Sequence, residues 1–229
     1  MKYHIEFDLE LKRNPYPGLY IALEGTEASG KTTQVQKLKE YFESKGREVV
    51  VTREPRKEGL IGDIVHQVLN GELKMDSLAF QYLFTTDRVL NHREVIVPAL
   101  KEGKMVISDR SFWSALVYGV LDKLEGEYKK ESIDQLLVAQ SVLSFYHQFI
   151  VPDLTVFLRI PLDISLKRLQ NERKQDKEIY EDKEKIEKII SGYEFVFGNF
   201  ENDVTIIDGS KDMESVTSEI IGLAEGVKK

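Results

Sequence analysis

The sequence predicts an α/β fold, one doubly wound domain around a five-stranded parallel sheet, and three observations carry that expectation. Five short runs rich in Val, Ile and Leu alternate with longer stretches of helical period. The runs show little polar alternation, which suits strands covered on both faces. A glycine-rich turn stands between the first run and the first helical stretch.

The expected strands are Leu19–Leu23, Glu48–Thr52, Met105–Ser108, Thr155–Leu158 and Val204–Ile207. Helical period marks Lys31–Lys45, Leu60–Leu69, Ser77–Leu100, Ile133–Phe149, Leu162–Asn171, Lys183–Asn199 and Met213–Ala224. Gly46 follows the first helix where a helix-ending glycine belongs. A single domain over 19–229 accounts for every element, with a charged lid segment expected at 171–182. Residues 1–18 form an N-terminal extension. In it Ile5, Phe7, Leu9 and Leu11 alternate with polar or charged neighbours, so an added edge strand fits there.

Composition bounds the function. The 229 residues are 41% hydrophobic, enough for a core that needs neither disulfide nor structural metal. Cysteine is absent, which excludes a disulfide scaffold, thiolate zinc sites and cysteine nucleophiles. No apolar run approaches the ~18 residues of a membrane span, and Met1–Leu11 is charged where a secretion signal would be apolar. A cytoplasmic protein without membrane association is the expectation. The net charge of −7 opposes a nucleic-acid partner. It does not oppose a nucleotide enzyme, which needs only a local basic pocket.

Gly25-Thr26-Glu27-Ala28-Ser29-Gly30-Lys31-Thr32 fits the phosphate-loop pattern G-x-x-x-x-G-K-[ST], between a strand and a helix as the pattern requires. Glycines let the backbone wrap a phosphate, and free N–H groups at the helix start, with Thr33 next in line, supply positive field. Lys31 would reach the β- and γ-phosphates, and the Thr32 hydroxyl would take a place on Mg²⁺. The implied ligand is a purine nucleoside triphosphate with Mg²⁺. No N-K-x-D guanine-reading sequence is present, which counts against a GTPase.

Three further elements fall near the carboxyl ends of expected strands or on the third helix, where an open α/β sheet places ligands. They are Thr52-Arg53-Glu54-Pro55, Phe84-Thr85-Thr86-Asp87-Arg88 and Ser108-Asp109-Arg110-Ser111. Of only ten arginines in the chain, Arg53, Arg88 and Arg110 lie in these elements, and Arg168 and Arg173 flank the lid. Arginine binds phosphate oxygens in pairs, so this placement suits an enzyme that holds two polyanions together.

With Glu24-Gly25-Thr26-Glu27 and Pro152-Asp153-Leu154-Thr155, these elements resemble the thymidylate kinase family from about Leu19 to the C-terminus. The resemblance implies a P-loop fold with a lid, transfer of the ATP γ-phosphoryl group to dTMP, and a homodimer. It also implies that Arg53 and Arg110 contact the acceptor phosphate and that Asp109 acts through water on Mg²⁺. Phe84 would stack on the pyrimidine, Arg88 would bond its edge, Glu27 would accept from the sugar 3′-hydroxyl, and Tyr118 would disfavour a ribose. Some members of the family place a catalytic arginine in the phosphate loop and others in the lid. Positions 26–29 here are Thr, Glu, Ala and Ser, so Arg173 is the candidate, with Lys174 and Lys177 as substitutes. Arg168 would lie against the adenine, and Tyr180 would face the base. The chain departs from the family pattern at Arg56-Lys57-Glu58, where glycines are usual, and at Ser111, where an aromatic is common. A kinase for another nucleoside or its monophosphate, or a nucleotide-binding module without turnover, stays open at this point.

Overall fold

The computed structural model describes residues 10–123, 149–172, 182–199 and 203–228. Five strands form one parallel sheet in the order β2-β3-β1-β4-β5. They are β1 (Tyr20–Glu24), β2 (Val49–Arg53), β3 (Met105–Asp109), β4 (Leu154–Arg159) and β5 (Thr205–Asp208). Each lies within a residue or two of its expected bounds. The central strands β1 and β3 are buried throughout, as their unbroken apolar runs require.

The helices are α1 (Lys31–Ser44), α2 (Leu60–Leu69), α3 (Ser77–Asn91), α4 (Val97–Lys101), α5 (Phe112–Lys123), α6 (Leu162–Glu172), α7 (Lys183–Asn199) and α8 (Met213–Gly226). Alternate residues of the strands feed opposite faces. Ile21, Leu23, Met105, Ile107, Val156 and Leu158 pack with Val35 and Leu38 of α1 and Val216 and Ile220 of α8. On the other face Phe157 joins Phe80 of α3, Trp113 and Leu116 of α5, and Tyr193 and Phe197 of α7. As expected, Gly46 closes α1: the N–H groups of Gly46 and Arg47 reach back to the carbonyls of Glu43 and Phe42.

Two expectations need correction. The single helix expected over Ser77–Leu100 is two, α3 and α4, joined by a π-helical turn at His92–Ile96. Helix α5 was not anticipated at all. Its residues Phe112–Val117 are buried on every side, so they show no amphipathic stripe for a period-based reading to find. The available signal was Ser111, whose Oγ accepts from the Trp113 N–H as an N-cap does.

Residues 133–148 of the helix expected over 133–149, residues 5–9 of the alternating segment and residues 173–181 of the lid expected over 171–182 lie outside the described residues. Of the N-terminal extension, Lys12 forms one parallel bridge with Ile150, outside the five-stranded sheet. Asp153, part of the family-like Pro152–Thr155 element, works at the amino end of the sheet. It accepts from the Tyr20 N–H and from Asn14 Nδ2, both at 2.7 Å, and so ties β1 and the N-terminal segment to the start of β4.

Candidate active site

The phosphate loop leaves the carboxyl end of β1 and enters α1 at Lys31, as the sequence requires. Gly25 is indispensable to its course, since a Cβ there would come within 2.6 Å of Ser29 Oγ and 2.9 Å of the Leu158 carbonyl. Gly30, immediately before the helix, sits in the left-handed region at φ 97°. Lys31 curls over the loop and donates to the Thr26 carbonyl at 2.6 Å and to Ser29 Oγ at 3.3 Å. Burial, with the nearby Arg110 charge, brings its ammonium down to about pKa 8.

Parallel register delivers the partners. Leu23 and Arg53 both pair with Asp109, so the ends of β1, β2 and β3 come level at one edge. Thr32 Oγ1 donates to Asp109 Oδ2 at 2.5 Å, which brings a hydroxyl and a carboxylate together at the foot of the loop. Such an all-oxygen pair suits Mg²⁺, which binds one or two carboxylates and completes its shell with phosphate and water.

Arg110 follows in the left-handed conformation at φ 73°, unusual for a residue with a Cβ. That turn sends its guanidinium across the loop. Nη1 donates to the Gly25 carbonyl at 3.0 Å and to the Tyr193 hydroxyl at 2.8 Å; Nη2 donates to Glu27 Oε1 at 2.8 Å. Tyr118 donates to the same Glu27 oxygen at 2.7 Å, and the Arg110 guanidinium lies over its ring. Beneath them the fully buried Glu24 carboxylate accepts from Ser111 N–H and Oγ, Ser114 Oγ and the Tyr193 hydroxyl. Glu24 therefore anchors the start of α5 and, through Tyr193, the arginine.

A cavity of about 270 Å³ opens beside the loop. Glu27, Ala28, Lys31, Thr32, Arg53, Phe84, Arg88, Asp109, Arg110 and Tyr118 all line it, so the sequence-predicted residues from five separate segments converge. Arg88 is held from behind by Glu54, which accepts from its Nε at 2.5 Å, while Asn91 Nδ2 contacts the other Glu54 oxygen. Burial pushes the Glu54 carboxyl up to about 7, against the pull of Arg88. Arg56, standing where the family usually has a glycine, is fixed by Asp87, which accepts from its N–H and Nε, and by Glu94.

Arg168 approaches the loop from α6 and donates to the carbonyls of Ala28 and Gly209 at 3.3 and 3.0 Å, bracing the loop from behind. Arg173 and Tyr180 lie outside the described residues. The reading of the sequence placed Glu24 and Glu54 in its motifs without giving them a role, and it missed His66, Gln81, Ser114 and Tyr193. Ser114 had a signal, one turn past the Asp109-Arg110 element. Tyr193, 83 positions from Arg110, had none.

A loop shaped for a triphosphate, bordering a cavity whose walls also present arginines, is the arrangement of a P-loop kinase acting on a small phosphorylated acceptor. The family model described as thymidylate kinase matches residues 23–220. The chain is 30% identical over 203 residues to the thymidylate kinase of Kosmotoga olearia, covering 89% of this chain and 93% of that one. It is 37% identical over 158 residues to a probable thymidylate kinase of Pyrococcus horikoshii, covering 67% and 70%. The fold matches the structure of thymidylate kinase from Candida albicans with a TM-score of 0.74 at 23% identity, over 91% of each chain. The chain belongs to the thymidylate kinase family.

Proposed function

We propose that this chain transfers the γ-phosphoryl group of ATP to dTMP, giving dTDP for DNA precursor synthesis. The observation that carries this reading is the shared cavity: Arg53, Arg110, Phe84, Arg88 and Tyr118 face the same space as Lys31, Thr32 and Asp109. Loop N–H groups and Lys31 hold the β- and γ-phosphates, while Thr32 directly and Asp109 through water would hold Mg²⁺, which would supply charge neutralisation on the donor phosphates. Arg110, already bonded to Glu27 and Gly25, is oriented before substrate arrives, and with Arg53 it grips the acceptor phosphate. The acceptor oxygen then attacks in line, with no covalent enzyme intermediate, and positioning and charge neutralisation supply most of the rate.

Phe84 stacks on the thymine, and Arg88, oriented by Glu54, bonds its edge. Tyr118, held by Glu27, stands beside the sugar and disfavours a 2′-hydroxyl. The lid over 171–182 closes with Arg173 and excludes water that would otherwise hydrolyse ATP. The chain works as a cytoplasmic homodimer, and a dimeric mass by light scattering is the expected result. Among the described residues no helix is long and apolar enough to cross a membrane.

The test is a coupled ADP-release assay over dTMP, dUMP, dCMP, dGMP and UMP. dTMP should give the highest kcat/KM, and UMP the lowest of the pyrimidines because of its 2′-hydroxyl. Preference for another acceptor would assign the chain a different substrate. No stimulated release with any of them would make it a binding module.

A further inference from the structure

A buried polar atom without a partner that belongs to a cavity wall is a candidate ligand contact, because an unpaired donor or acceptor in a folded interior costs free energy. Among the described residues four buried side-chain atoms have none: Thr26 Oγ1, Glu27 Oε2, Arg53 Nε and His66 Nε2. Glu27, Arg53 and His66 line the one cavity described above, and Thr26 lies in the phosphate loop beside it. Glu27 and Arg53 have places in the proposed reaction. His66 has none.

His66 sits in the last turn of α2, where its carbonyl accepts from the Asn70 N–H and so fixes the backbone. Helix α2 packs on α3, and the cavity wall they share carries His66 and Leu69 from one helix, Gln81, Phe84 and Arg88 from the other. An apolar residue would fill this position without leaving an unsatisfied nitrogen. A buried, unpartnered imidazole nitrogen on a residue of the cavity wall instead offers one hydrogen bond, as donor or acceptor according to its tautomer.

We propose that His66 is a specificity-determining residue whose Nε2 hydrogen-bonds the nucleoside portion of the acceptor. This rests on the reading of dTMP as acceptor. The nucleoside is favoured over the phosphate because His66 shares its wall with Phe84 and Arg88, which serve the base. Arg53 and Arg110, which serve the phosphate, stand at the strand ends. Thymidine supplies matching groups in its ring carbonyls, ring N–H and 3′-hydroxyl.

The experiment compares wild type with His66→Leu and His66→Gln, measuring kcat and KM for both substrates and calorimetric binding of dTMP and of thymidine. His66→Leu should weaken dTMP and thymidine binding about three- to tenfold, the usual range for one neutral hydrogen bond. Its kcat and its KM for ATP should stay within about twofold. His66→Gln, which can return a polar atom to the same place, should recover most of the loss. If the leucine variant melts early, His66→Asn, too short to reach, should show the same loss in a folded protein. Unchanged binding in His66→Leu, or a loss confined to dTMP while thymidine binds normally, would overturn the proposal for His66 and leave the dTMP reading intact. A wild type that neither binds nor phosphorylates dTMP would overturn both.

Discussion

At the scale of single residues, Arg110 carries more of the site than any other side chain. Its backbone sits in a left-handed conformation, and its guanidinium joins the loop at Gly25, the carboxylate of Glu27 and the hydroxyl of Tyr193. Strain of this kind persists only where the surroundings over-determine it. Arg110→Ala should lower kcat/KM for dTMP about ten- to a hundredfold, the scale of a lost charged hydrogen bond, while ATP binding changes little. Steady-state kinetics with each substrate varied in turn checks this, and an unchanged kcat/KM for dTMP would remove Arg110 from the acceptor site. Lys31 gives a pH prediction. In the free protein its pKa is depressed to about 8 by burial and by Arg110. A bound triphosphate favours the charged ammonium, so binding takes up a proton where Lys31 is partly neutral. ATP affinity should therefore fall as pH rises through 8 and beyond. Calorimetry at about pH 8.5 in buffers of different ionisation heat should report proton uptake, and its absence would contradict the depressed value.

At the scale of elements, legibility in the sequence followed local pattern. The five strands could be read because each is a continuous apolar run, and the phosphate loop because its glycines and Lys31 stand at fixed spacing. Helix α5 could not, because it is enclosed by α3 and α7 and carries apolar residues all round. The break in α3–α4 was equally hidden, since a π-turn inserts one residue into the period without changing composition. Site residues were legible where a motif named them. Tyr193 and His66 act through tertiary approach: the packing of α2 on α3 brings His66 to the cavity wall, and α7 brings the Tyr193 hydroxyl to Arg110. The next prediction falls on the segment expected from the sequence to be a lid. The phosphate loop offers Lys31 as its sole cation, and transfer builds charge on three equatorial oxygens. Arg173→Ala should lower kcat about a thousandfold with little change in either dissociation constant. Single-turnover kinetics separates the two effects. Near-normal kcat in this variant, with a loss in Lys174→Ala or Lys177→Ala, would give the role to a lysine.

At the scale of the whole molecule, the parallel sheet acts as a register that brings three strand ends level and so sets the phosphate loop, Arg53 and Asp109 around one cavity. Two helical layers then divide the labour. Helices α1 and α8 back the phosphate loop, while α2, α3 and α5 wall the acceptor cavity. On the proposed reading, donor and acceptor meet beside the ends of β1 and β3. The most direct measurement is transfer of label from [γ-³²P]ATP in the presence of dTMP and Mg²⁺, with Lys31→Ala as control. Label should appear in dTDP and not on the protein, and the Lys31→Ala rate should fall at least about a hundredfold, as for other donors that stabilise transferred charge. Label retained on the protein, released only as inorganic phosphate, or passed to dTDP equally well by Lys31→Ala would contradict direct transfer at this site.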